Sequence, residues 1–76
     1  MRAVSVESKG FRGDGVEIVQ AILISDSAPD TLPETGENVV GMSANQIFAP
    51  LSMLYVIADT DPKVYIANES GVFTPQ

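Results

Sequence analysis

Apolar positions along this chain fall in short, β-branched runs rather than at helical spacing. The clearest pair is Leu51-Ser-Met-Leu-Tyr-Val-Ile-Ala58 and Val64-Tyr-Ile-Ala67, separated by the break Asp59-Thr-Asp-Pro-Lys63. A second break, Asn68-Glu-Ser-Gly71, leads into Val72-Phe73. Val, Ile, Tyr and Phe suit a pleated, half-buried surface, and Asp, Asn, Pro and Gly supply turns. The pattern predicts a β-meander over residues 51–75, with Met53–Ile57 antiparallel to Val64–Ala67 and with Ile57 and Ile66 buried.

Upstream the signals are weaker. Residues 2–7 alternate around Val4 and Val6 and predict a first strand, and Lys9-Gly-Phe-Arg-Gly-Asp-Gly15 predicts a loop or hairpin turn. Val16–Ser25 fits a helical stripe tolerably, but five of its ten residues are Val or Ile, which lose side-chain freedom in a helix. A strand is the better reading. Pro29, Pro33 and Gly36 make residues 26–39 irregular, and Gly41–Phe48 has room for a helical turn capped by Ser43. The expectation is one small mainly-β domain spanning 1–76. It has a strand or arm within 1–25, a long irregular loop over 26–50, and an antiparallel meander or sandwich.

The run Met53-Leu-Tyr-Val-Ile57 carries no polar residue on either face. An antiparallel strand in a one-layer domain normally alternates, so a run apolar on both sides needs cover on both. A chain of 76 residues has little material for a second layer. Small domains are commonly completed by disulfides, a metal or oligomerisation. This one has neither cysteine nor histidine, which leaves self-association as the expected completion. Tyr55, Val56, Tyr65 and Phe73 are the candidate interface or binding face, with Tyr55 and Tyr65 as cross-strand or diagonal neighbours.

Charge narrows the functional classes. The net charge is −6, with four cations against ten carboxylates, the reverse of what attracts a phosphate backbone or an anionic membrane surface. Nucleic acid and membrane are therefore not expected partners. Glu7 and Lys9 interrupt any signal-peptide core, and the longest apolar stretches fall well short of a spanning helix.

Without His or Cys the usual nucleophile–base pairs cannot be built, and catalysis is not expected. Asp59 and Asp61, two residues apart, share one strand face but offer too few oxygens for calcium. They read as solvated turn residues, with no cofactor or metal implied. Leu32-Pro-Glu-Thr-Gly36 matches the sortase pentapeptide, yet no spanning segment or basic tail follows it, and an accidental match in a Pro-Gly loop is preferred. Arg12-Gly13-Asp14 matches the integrin tripeptide and reads as a hairpin turn.

Residues Phe48-Ala-Pro-Leu-Ser-Met-Leu-Tyr-Val-Ile57 and Lys63-Val-Tyr-Ile-Ala-Asn-Glu-Ser-Gly-Val-Phe73 resemble a β-hairpin unit of bacteriophage head-fibre and virion-surface proteins. The loop with Pro33, Gly36 and Gly41 is also similar, so the likeness covers roughly residues 28–75. The chain departs from that unit in having Leu51 where glycine is common and in its longer turn Asp59–Lys63. The resemblance implies a non-enzymatic structural or attachment role in a phage or prophage virion, as a fibre base or capsid decoration. It implies a homo-oligomer, a trimer ahead of a dimer, with other virion proteins as further partners. The expected location is the virion, or the cytoplasm before assembly. The alternative reading is a small bacterial module binding a glycan or protein through an exposed aromatic face.

Overall fold

A computed structural model describes residues 1–27, 29–57 and 63–76. The described residues form a six-stranded sheet: β1 (Arg2–Phe11), β2 (Glu17–Ser25), β3 (Gln46–Phe48), β4 (Met53–Val56), β5 (Lys63–Ala67) and β6 (Phe73–Pro75). The order across the sheet is β1-β2-β4-β5-β6, with β3 also beside β2. The meander is present as expected, with Met53 opposite Ile66 and Val56 opposite Lys63. The strands expected over 2–7 and 16–25 are observed as Arg2–Phe11 and Glu17–Ser25 and pair as a hairpin, β1 running on through Lys9–Phe11 of the segment expected as loop.

The sheet is mixed rather than wholly antiparallel. β3 and β4 both run parallel to β2, because the segment between β2 and β3 returns across the sheet before pairing. The expected helical turn is a single turn only. Gln46 N–H donates to Ser43 O at 3.1 Å and Ser43 N–H donates to Gln46 Oε1 at 2.9 Å. The chain then goes straight into β3, where the Gln46 side chain is held by Glu17 at 2.7 Å.

β3 and β4 act as one strand broken by Ala49-Pro50-Leu51-Ser52. From Phe48 to Met53 the chain advances five residues while its partner advances three, from Val19 to Ile22. The detour would orphan backbone groups of β2, and a buried orphan is costly. Ser52, fully buried, fills the gap: its hydroxyl accepts from Ala21 N–H at 3.1 Å and donates to Ala49 O at 3.0 Å. Leu51 takes the sharp part of the bend at φ 70 with 59% of its surface exposed. This is the left-handed region that glycine occupies without strain.

One face of the sheet is dry. Val19, Ala21 and Leu23 of β2, Leu54 of β4, Ala67 of β5 and Phe73 of β6 are buried on it. Residues 30–40 cross this face as a strap fastened to both sheet edges. At the β6 edge Leu32 N–H donates to Gly71 O and Phe73 N–H to Asp30 O. At the β1 edge Ala3 N–H donates to Val40 O, and Val40 N–H to Met1 O. The strap and the turn after it bring Leu32, Val39 and Met42 onto the core.

The burial expected of Ile57 and Ile66 is corrected here. Ile57 is 51% exposed and Ile66 only half-buried, whereas Leu54, one residue out of phase with Tyr55, is fully buried. In a strand apolar on both faces, alternation does not reveal which phase meets the core.

Two outcomes follow for stability. Leu54→Ala should cost about 2–5 kcal/mol and Ile57→Ala under about 1 kcal/mol, measured by urea unfolding; similar costs would contradict this core. Ser52→Ala should cost about 1–3 kcal/mol, because it removes the partner of a buried N–H and a buried carbonyl. Leu51→Gly, by contrast, should leave the unfolding midpoint unchanged or raise it.

Candidate functional site

The opposite face of the sheet carries the most distinctive surface. β-register fixes which side chains share it. One row runs Arg2–Ile24–Tyr55–Val64, and the next runs Ser5–Ile22–Met53–Ile66–Thr74. Beyond Gln20, Ile18 stands beside Ile47. Thus Ile18, Ile22, Ile24, Ile47, Met53, Tyr55, Val64 and Ile66 form one apolar field, all of them half-buried. Polar groups border it: Arg2, Ser5 and Glu7 on β1, Thr74 on β6. Gln20, within the field, donates from Nε2 to Leu51 O at 3.3 Å.

This face has relief. A concavity of about 890 Å³ at the β5–β6 side joins Met53, Val64 and Ile66 of this face to Lys63, Tyr65, Pro75 and Gln76. A smaller hollow at the far end gathers Arg2, Ile24, Val40 and Ile57. Val40 and Ile57 are strongly exposed, so the apolar surface continues past the strand ends.

The four residues expected to make the interface are divided between the two faces. Tyr55 lies on the open face. Val56 and Tyr65 pack against the core on the other side, and Phe73 is a core residue at 7% exposure. Tyr65 is paired with Leu54, and Tyr55 with Val64, so the two rings are not face-sharing neighbours. What sequence reasoning missed is the contribution of β2. Its Ala21-Ile-Leu-Ile24 is also apolar in both phases, the same signal that singled out β4.

The short motifs are built into the fold. In Leu32–Gly36, Leu32 packs on the core and Gly36 is buried, its N–H donating to Gln46 O at 2.9 Å. A Cβ at Gly36 would come within 2.6 Å of Met42 Cβ and 2.7 Å of Ser43 O. That glycine exists for close passage of the strap. In Arg12-Gly-Asp14 the two charged side chains contact each other at 2.5 Å across the hairpin turn. This pair raises the Arg12 pKa and, with the Val16 N–H, lowers that of Asp14.

Among the described residues no three His, Cys, Asp or Glu side chains gather as a metal site, and no helix is long and apolar enough to cross a membrane. Asp59, Asp61 and their turn lie outside the described residues. No protein-family model, curated protein or solved structure matches the chain.

Glu17 ties β2 to β3. The hydrogen bond from the Gln46 amide, then that from the Ser8 hydroxyl, holds its carboxyl below the usual range, against a smaller opposing effect of desolvation. A depressed folded-state pKa stabilises the fold above the unfolded value, and the contribution fades as pH falls through the folded one. The stability difference between wild type and Glu17→Gln should therefore be constant near neutrality and shrink below about pH 4. Urea midpoints across that range measure it; a difference independent of pH would contradict the assignment. The native chain should also resist sortase, because both ends of the pentapeptide are hydrogen-bonded into the sheet. Ligation of folded protein at the rate of an unstructured peptide would contradict this pinning.

Proposed function

We propose that the chain is a non-enzymatic structural or attachment module of the phage or prophage virion type, working as a homo-oligomer. The observation that carries this reading is the open apolar face. A sheet whose second face holds eight large apolar residues is suited to being built into an assembly. The resemblance of residues 28–75 to head-fibre units supports the virion context. Leu51, a departure from that unit where glycine is common, stands at φ 70.

The glycan-binding alternative draws less support. Sugar recognition by paired tyrosines needs both rings on one surface, and here only Tyr55 is on the open face. Non-catalytic assembly also agrees with the side-chain inventory, in which no His or Cys is available as a base or nucleophile.

The test is fractionation of the organism that encodes the chain after prophage induction. The chain should co-sediment with particles on a density gradient, with capsid, portal or tail genes beside its own. Its confinement to the soluble fraction while particles form would defeat the virion reading. Binding on a glycan array that is abolished by Tyr55→Ala would favour the alternative.

A further inference from the structure

We infer that a second copy of this chain covers the open face, the two sheets packing face to face as the layers of a β-sandwich. The inference rests on the oligomeric reading above and names the surface through which it is achieved.

Three observations select a second copy as the occupant. The first is position. The strap lies on the core side, with Leu32, Val39 and Met42 packed on that core, and Ile22, Met53 and Ile66 are not among the side chains packed there. The missing cover is thus a sheet-sized apolar layer, which another copy of the same face supplies. Two such layers pack about 10 Å apart with interdigitated side chains.

The second is charge. The chain carries −6, so two copies repel unless they meet where carboxylates are absent. Residues 1–25 hold three cations and three carboxylates, so the whole net charge belongs to residues 26–76. Asp30, Glu34 and Glu37 lie on the strap, which covers the core side, and Asp26 lines the hollow beside Arg2 and Ile24 at one end of the open face. On the open face the described strand residues include one carboxylate, Glu7, with Lys9 at 3.3 Å from it, and the further cation Arg2. A highly acidic or basic partner would find little there to pair with. An identical neutral face meets no penalty.

The third is area. β2 has nine residues, a length of about 30 Å at 3.3 Å per residue, and the second dimension of the molecule is 23 Å. Their product is on the order of 700 Å², close to the roughly 800 Å² that each partner gives to a standard interface. One partner copy therefore uses the face fully, and a two-fold arrangement is closed.

The free edge of β1 is the rival contact, since Val4, Val6 and Phe11 are exposed along it. It is poorly suited to pairing. Register shifts occur between Ala3 and Ser5 and between Ser8 and Gly10, and bulges together with an edge lysine are the usual guards against strand addition.

Size-exclusion chromatography with light scattering at micromolar concentration tests the inference, comparing wild type with Ile22→Lys, Ile66→Lys and the edge variant Val6→Lys. Wild type and Val6→Lys should give twice the 8.1 kDa chain mass. The two face variants should give the single-chain mass with the strand circular dichroism retained. Should a face variant fail to fold, a cross-linking readout remains, because the chain has no cysteine of its own. Ile22→Cys should be joined to a second copy by a short bis-maleimide, and Val6→Cys should not. A three-chain mass, or an oligomer lost on Val6→Lys but kept by the face variants, would overturn the sandwich and leave the oligomeric reading standing. A wild-type mass of one chain would overturn both.

Discussion

One strap must serve a sheet with two apolar faces, and the rest of the molecule follows from that shortage. Residues 30–40 are hydrogen-bonded to the β6 edge at one end and the β1 edge at the other, so they cover one face and have no length left for the other. The face they cover becomes the core. Burying an apolar side chain contributes about 1.5–3 kcal/mol relative to leaving it exposed, and Leu23, Leu54, Val19 and Phe73 are all on that side. The strap also fastens the sheet at one point on each side, at Ala3 of β1 and at Phe73 of β6.

The same path explains the mixed topology. A chain that leaves β2 at Ser25 and crosses the covered face arrives beside β2 running in the same direction. The return therefore makes parallel pairs, first β3 and then β4. A continuous strand there would carry Ala49–Ser52 along the ladder with no bend. The observed detour instead turns Leu51 outward and places the Ser52 hydroxyl between Ala21 and Ala49. Leu51 N–H and Ser52 O in turn pair with Ala67 of β5. One serine and one left-handed residue thus join β2, the β3–β4 strand and the end of the meander. Loss of the Ser52 hydroxyl would be felt in three strands.

The sequence showed these features unequally. The β1–β2 hairpin and the meander were legible because Val, Ile and Tyr runs are bounded there by Gly, Asp or Asn turns. β3 was not, since Gln46-Ile-Phe48 is too short to show a period, and its pairing depends on where the strap ends. The choice of core phase was illegible for a different reason. Met53-Leu-Tyr-Val56 is apolar in both registers, so only the strap decides that Leu54 is inside and Tyr55 outside. That same ambiguity was the signal for the candidate site: a strand with no polar phase leaves a second apolar face. The individual interface residues Val56, Tyr65 and Phe73 were assigned without that phase and fall on the core side.

Charge completes the picture by separating what holds the fold from what keeps it in solution. The net charge resides wholly in residues 26–76, four of its carboxylates falling between Asp26 and Glu37. In the proposed face-to-face pair the strap carboxylates Asp30, Glu34 and Glu37 would lie on the two outer surfaces, with both layers of the sandwich between them. At physiological ionic strength charges are screened over about 8 Å, and two sheets alone occupy roughly 10 Å from backbone to backbone. Repulsion between the straps is then weak across the pair, yet it remains strong against a third molecule approaching from outside. In the proposed pair an acidic exterior would therefore limit further association at little cost to the inner contact, so that a chain of this charge could present an apolar sheet and assemble to a defined size.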